Sequence, residues 1–395
     1  MANRKFFFFG TDNPTLTIHV PDNCGNDCSF CVNKNMYGRK KRNLERGVQQ
    51  AFLQVLEEMP EAAETVVISG GEPLFSYSWL EGCVLPKIEE YKKKGVIKHA
   101  YLNTFLPATK IHDFVSLIVK YGTRDKDTNR FPYLDGISIS RPNLSTDSFR
   151  LTTLNDNGLS NFMKTLNKHI PEKARLDLRI NALIDDSMSA EDIDEGVTLY
   201  SDMGFKVSLR EDFTKETPTT LRKLTDKEKD KYIFLVPEYA IGCSACASFV
   251  TNRDNVTIHK GLEHTSHINV FPGGNALIEV VDVVIDPQGG IYYDWAITDE
   301  EKEKYELTYF KVAAVRLPHI YSRHAMGNFI NKLPSWRSVA DEEEEKVDKD
   351  AIVDDIMNSF TSSNPIDVAK RITGTLTPMG EIIISSCGYP NLTSC

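Results

Sequence analysis

Cys24-Gly-Asn-Asp-Cys28-Ser-Phe-Cys31 constrains this chain more than any other stretch. It follows the apolar run Leu16–Val20 and a Pro21-Asp22-Asn23 turn. A strand that ends in a loop carrying three thiols offers ligands to a soft metal. Iron–sulfur clusters are held by such thiolates, and a four-iron cluster bound by three of them keeps one iron open to chemistry. Zinc is the competing occupant. It usually takes four ligands, and no fourth Cys or His lies near by, His19 falling inside the strand candidate.

The aromatic residue before the last cysteine, Phe30, sharpens the pattern. With it, the loop resembles the cluster loop of the radical S-adenosylmethionine (SAM) superfamily, C-x3-C-x-aromatic-C. A second motif supports that resemblance. Ser69-Gly70-Gly71-Glu72-Pro73 directly follows Val66-Val67-Ile68. Two glycines let the backbone approach a ligand closely. A lone Gly-Gly is an ordinary turn, but after the second strand it resembles the superfamily's Gly-Gly-Glu-Pro motif.

Around these motifs apolar runs alternate with helical stretches. Strands are predicted at Leu16–Val20, Thr65–Ser69, His99–Asn103, Gly136–Ser140, Arg175–Leu183 and Lys206–Arg210. Helices are predicted at Leu44–Glu58, Tyr77–Lys93, Lys110–Tyr121, Ser148–His169 and Ala190–Met203. Ile111, Phe114, Leu117 and Ile118 lie at helical spacing and form one apolar face. The alternation predicts an α/β fold with a parallel sheet and helices outside it. Six units fall short of a closed barrel, so the expected architecture is a partial (β/α)6 TIM-like barrel with a C-terminal α+β domain. Barrels of this kind place chemistry at the C-terminal ends of their strands, where the cysteine loop falls. Phe6–Phe9 is read as a buried or interfacial N-terminal strand, since the run is too short for a signal peptide.

The resemblance covers roughly residues 14–215. It implies that Cys24, Cys28 and Cys31 bind a [4Fe–4S] cluster, with the amino and carboxylate groups of SAM on the open iron. It implies that Gly70, Gly71, Glu72 and Pro73 hold the methionine amino group, and that adenine meets backbone near Phe30. On the later strands it points to Ser138 or Ser140 and Asn181 for the ribose and carboxylate. Arg210 is expected to meet an anionic group. The implied reaction is one-electron cleavage of SAM to methionine and a 5′-deoxyadenosyl radical, which takes hydrogen from the substrate. Val20, Phe30 and Val32 suit exclusion of water.

A charged, Thr-rich stretch, Lys215–Lys231, marks the expected boundary between domains 1–215 and 216–395. Beyond it come Cys243-Ser-Ala-Cys246, then His259, His264 and His267. Val281–Trp295 and Ile372–Ser386 read as hairpins about Pro-x-Gly turns, the second ending at Cys387. These hairpins resemble regions that hold an auxiliary cluster in the molybdenum-cofactor cyclase and in peptide-maturing members, although Asp294 stands where the first would carry its cysteine. Cys243, Cys246 and Cys387, with Cys395, are candidates for a second cluster; a zinc site or plain buried thiols are the alternatives. Cys83 is expected to be structural, and the acidic run from Asp341 to Asp355 a solvated surface.

Net charge is −10, which argues against a long nucleic-acid partner. Arg39-Lys40-Lys41-Arg42 is a local exception, a solvated loop or an anion contact. No apolar run approaches the ~20 residues of a membrane helix. A cytoplasmic protein is expected, its eight cysteines reduced. The expected substrate is a small molecule or nucleotide, the short lead-in before Leu16 arguing against a ribosomal peptide, and the expected reductant is of flavodoxin or ferredoxin type. An iron–sulfur electron carrier is the alternative outside enzymes, and it has no need of Gly-Gly-Glu-Pro.

Overall fold

Hydrophobic alternation sets the strands, and the strands set the frame. In the computed structural model, residues 6–21, 24–26, 28–31, 44–147, 149–211, 236–239, 246–250, 256–261, 268–270, 276–292, 312–314 and 349–361 are described. Elements run β1 (Phe6–Val20), α1 (Leu44–Glu58), β2 (Thr65–Gly70), α2 (Leu85–Lys93), β3 (His99–Thr104), α3 (Ile111–Ser116), β4 (Gly136–Ser140) and α4 (Asp156–His169). They continue with β5 (Asp177–Ile184), α5 (Ala190–Asp202), β6 (Lys206–Glu211), β7 (Val236–Tyr239), β8 (Cys246–Val250) and β9 (Val256–Gly261). Last come β10 (Ile268–Val270), β11 (Ala276–Ile285), β12 (Ile291–Tyr292), β13 (Val312–Ala314) and α6 (Lys349–Thr361).

β1 to β6 pair in sequence order, all parallel, as the six βα units require. Helices cover one face. Ile68, Leu102, Ile139, Ile180 and Leu209 are fully buried there. Opposite them, helix α1 packs Val48, Phe52 and Val55. Ile111, Phe114, Leu117 and Ile118 are all buried, as their spacing predicts. Asn155 caps α4 by accepting from the Gly158 N–H, and Ser189 with Asp192 forms a capping box on α5. The Asn155 cap explains why α4 starts later than Ser148. The preceding stretch is a loop that holds Pro142–Leu144 in a tight turn.

The sheet does not stop at six strands. β11 lies parallel to β1 on one side, and β9 lies parallel to β6 on the other. The sheet therefore has eight consecutive parallel strands in the order β11-β1-β2-β3-β4-β5-β6-β9, open at its ends. β7 and β8 extend one end antiparallel, while β10 and β12 pair antiparallel with β11. The expected boundary at residue 215 lies outside the described residues, and described strands on both sides of it belong to one sheet.

The predicted hairpin at Val281–Trp295 is present as β11 and β12 as far as Tyr292, and residues 293–295 lie outside the described residues. Its turn closes as the Gln288 and Gly290 N–H groups donate to Asp286 Oδ1, both at 2.8 Å. Gly289, at φ +87°, lies so near α1 that an added Cβ would stand 2.6 Å from Gly47 backbone. Helix α6 buries Ile352, Val353 and Ile356 against α3 and α4. From the acidic run, Asp350 pairs with Lys120 and Asp355 with His169, both at 2.6 Å, so part of that run is a charged helix face. Asp341–Asp348, the Ile372–Ser386 hairpin and Arg39–Arg42 lie outside the described residues. No described helix is long and apolar enough to cross a membrane.

Candidate functional site

The cysteine loop leaves the C-terminal end of β1 beside the loop that leaves β2. Cys24, Cys28 and Cys31 are each half-buried and none is in a disulfide. The Cys31 N–H donates to the Cys28 carbonyl at 3.1 Å and makes a tight turn about Ser29-Phe30. Gly25 takes φ +71°, a conformation L side chains seldom adopt. Asn26 Oδ1 accepts the Leu151 N–H at 2.9 Å, tying the loop to the segment after β4. Burial pushes the Cys24 thiol up. The Asn26 N–H opposes this, while Cys31 and Glu72 add to it. Cys24 and Glu72 are therefore in electrostatic reach of one another, which joins the two sequence motifs in space.

β2 ends at Gly70, whose φ of +112° turns the chain back toward the rim. Pro73 is buried and opens a single helical turn, Pro73–Ser76, capped by Glu72. Glu72 is completely buried. Its Oε1 accepts from the Leu74 N–H at 2.9 Å and the Thr104 hydroxyl at 2.7 Å. Its Oε2 accepts from the Phe105 N–H at 2.9 Å. Burial raises this carboxyl to about 7, the three donors acting the other way. The side chain is thus committed to the protein, binding the β2 rim to the β3 rim, while the Gly70–Gly71 backbone forms the turn beside it.

The later candidates share one face of the sheet. Alternation along β5 buries Leu178, Ile180, Ala182 and Ile184 and leaves Arg179, Asn181 and Leu183 on the other side. Ser138 is in register with Asn103 and Arg179, Ser140 with Asn181, Asn181 with Ser208, and Arg210 with Leu183 and His259. Ser138, Ser140, Asn181 and Arg210 consequently lie on the face away from the helices, with Ser69 and Asn103. Asn103 Nδ2 donates to Ser69 Oγ at 3.4 Å, and Asn181 Oδ1 is buried with no partner among the described residues. His19 is in register with Ser69 on this face, and burial holds its imidazole down at about 3.

Sequence reasoning missed Thr104, Phe105 and Arg141, which complete the rim. Phe105 packs its ring against Phe75, just after the Gly-Gly-Glu-Pro segment, and against Phe149, with centroids 6.3 and 5.1 Å apart. Arg141 has zero exposure and donates to three backbone carbonyls. No spacing marks these residues, because their partners come from other strands.

Among the described residues no three His, Cys, Asp or Glu side chains converge where a single ion could sit. Three thiols outside any disulfide on one rim loop still fit an iron–sulfur core, since its corners bind separate cysteines rather than one shared point. Of the auxiliary candidates, Cys243, Cys387 and Cys395 lie outside the described residues, as does Asp294, and only the backbone of Cys246, at the start of β8, is placed. Cys83 is half-buried against the core.

No protein-family model matches the chain, and no curated protein matches it. Among solved structures, SuiB of Streptococcus suis bound to S-adenosylmethionine aligns over 73% of this chain and 61% of its own, at 17% identity and TM-score 0.45. SuiB bound to precursor peptide SuiA aligns over 71% and 60%, at 17% identity and TM-score 0.43. The chain spans less than two thirds of the length of these structures.

Proposed function

We propose that this chain is a radical SAM enzyme. One observation carries the reading: the Cys24–Cys31 loop and the Gly70–Pro73 turn leave adjacent parallel strands at the same rim, with Cys24 within electrostatic reach of Glu72. Cys24, Cys28 and Cys31 would hold a [4Fe–4S] cluster. When bound, it would supply one electron to SAM and so generate the 5′-deoxyadenosyl radical that takes hydrogen from a substrate carbon.

The chain's own residues orient and enclose. Gly70 and Gly71 offer backbone groups to the methionine amine, and Glu72 ties the turn that follows them to the end of β3. Ser138, Ser140 and Asn181 face the same side and offer hydroxyl and amide groups to a ribose or carboxylate. Arg210 offers a guanidinium to an anion. Val20, fully buried, and Phe30 limit water at the loop. The reading places the protein in the cytoplasm with a flavodoxin- or ferredoxin-type reductant and a small-molecule or nucleotide substrate, a ribosomal peptide being the alternative. It assigns the chain beyond residue 215 to substrate binding and capping. Kinship to the molybdenum-cofactor cyclase branch rests on the C-terminal hairpins, of which the first alone is described.

The test is anaerobic reconstitution followed by dithionite and SAM. The protein should release 5′-deoxyadenosine, and C24A/C28A/C31A should release none. Equal release from the triple variant would overturn the proposal.

A further inference from the structure

Arg141 follows β4 directly and is buried, with no carboxylate in ion-pair contact among the described residues. Taking a guanidinium out of water is costly unless its donors are satisfied. Here Nη1 donates to the Ser140 carbonyl at 2.8 Å and the Phe105 carbonyl at 3.1 Å, and Nη2 to the Leu154 carbonyl at 2.8 Å. Nε has no partner among the described residues. Asp156 and Tyr200 favour the charge from near by, the Tyr200 hydroxyl donating to Asp156 Oδ1 at 2.8 Å.

The three carbonyls belong to three successive pieces of the rim: the end of β3, the end of β4 and the entry to α4. Two of these pieces lead on to a motif of the proposed site. Phe105 carries on to Glu72 through its N–H. The Leu154 N–H donates to the Leu106 carbonyl, and the Thr153 hydroxyl is shared between the Phe105 and Leu106 carbonyls at 2.7 and 2.9 Å. Leu151, in the same segment, holds Asn26 of the cysteine loop. Leu106 sits at φ +57°, a strained position for a leucine that its surroundings must enforce.

We propose that Arg141 is a positioning residue: it locks Phe105, Leu106 and Leu154 into one rigid arc that joins the cysteine loop to the Gly70–Pro73 turn and presets both for SAM. The functional half of this statement rests on the radical SAM reading; the mechanical half does not.

The experiment therefore has two arms, each run on wild type, R141M, R141K and T153V. Methionine fills much of the arginine volume without its donors. Lysine keeps the charge but only part of the fork. Thr153→Val removes the hydroxyl alone and keeps the test open if R141M fails to fold.

The first arm is amide hydrogen exchange on the metal-free chain. In R141M, residues 104–106 and 24–31 should exchange about tenfold faster or more, with β2 and α4 unchanged. R141K and T153V should lie between R141M and wild type. The second arm is the SAM dissociation constant of the reconstituted protein. R141M should weaken it about tenfold or more at unchanged iron content.

Uniformly faster exchange across the fold, or unchanged exchange at 24–31, would overturn the arc and leave Arg141 a plain packing residue. Local exchange gains with unaltered SAM affinity would overturn the presetting. Wild-type protein that binds no SAM would overturn the radical SAM reading instead, and the exchange arm would still decide the arc.

Discussion

Glu72 and Arg141 hold the same residue from opposite sides. Glu72 accepts the Phe105 N–H at 2.9 Å, and Arg141 donates to the Phe105 carbonyl at 3.1 Å. A buried carboxyl and a buried guanidinium are thus separated by one residue of backbone, and each bonds to that residue rather than to the other.

Removing the carboxyl should therefore damage the fold as well as the site. Glu72→Ala leaves the Leu74 N–H, the Thr104 hydroxyl and the Phe105 N–H without their acceptor. An unmet buried donor costs about 1–3 kcal/mol, and the Thr104 hydroxyl can turn elsewhere, so the loss is expected at about 3 kcal/mol. Urea unfolding of the metal-free variant measures it. Unchanged stability would show that Glu72 is free to serve a ligand.

Acidity gives a second expectation. The folded carboxyl of Glu72 lies at about 7, above its ordinary value of 4.5. Between those values the folded state binds the extra proton, so Glu72's contribution is greatest below 4.5 and is lost as pH rises through 7. His19 works in the opposite sense. Its folded value of about 3 lies below its ordinary 6.5, so its contribution is complete above 6.5 and is lost as pH falls toward 3. Between pH 6.5 and 8 only the Glu72 effect of these two operates. Metal-free wild type should lose melting temperature across that window relative to Glu72→Gln, as a calorimetric pH series would read. A parallel course for the two proteins would refute it.

The crossing of α1 by the β11–β12 turn can be tested by one methyl group. A Cβ on residue 289 would lie 2.6 Å from Gly47 backbone, at a φ of +87°. Gly289→Ala should cost roughly 2 kcal/mol or more from clash and strain together. Gly47→Ala meets the Gln288 carbonyl at 2.9 Å and should also destabilise, by less, because its backbone is helical. Denaturation midpoints rank the two, and a neutral Gly289→Ala would show that the turn is not seated on the helix.

Metal analysis separates the cysteine sets. Reconstituted wild type should hold about four irons and C24A/C28A/C31A almost none, as for a single four-iron cluster. About four irons retained by the triple variant would place a second cluster on Cys243, Cys246 and Cys387. Retained zinc would indicate a structural ion there.

The βα units were legible because apolar runs alternate with helical stretches and several of the breaks are marked by Gly, Pro or Asn. The cysteine loop and the Gly70–Pro73 turn were legible because spacing alone defines them. That Ser138, Ser140, Asn181 and Arg210 share a face needed the observed register, since one residue of slip would have turned any of them toward the helices. Arg141 was invisible for another reason: an arginine after a strand looks solvated until its three carbonyl partners, from three segments, are in place. The seats of β9 and β11 were equally hidden, because local pattern predicts a strand but not which distant edge it joins.

The position of β11 bears on how the chain is made. β1 leaves the ribosome well before β11, yet among the described residues one of its flanks is covered by β11 alone, whose first residue is Ala276. At roughly 5–20 residues per second, that flank waits on the order of ten to fifty seconds with its N–H and C=O groups unpaired. An uncovered edge of that kind invites strand addition from other chains. Newly made protein should therefore depend on chaperone protection during synthesis far more than the finished molecule does, and slowing translation before residue 276 should lower soluble yield without altering the stability of what survives.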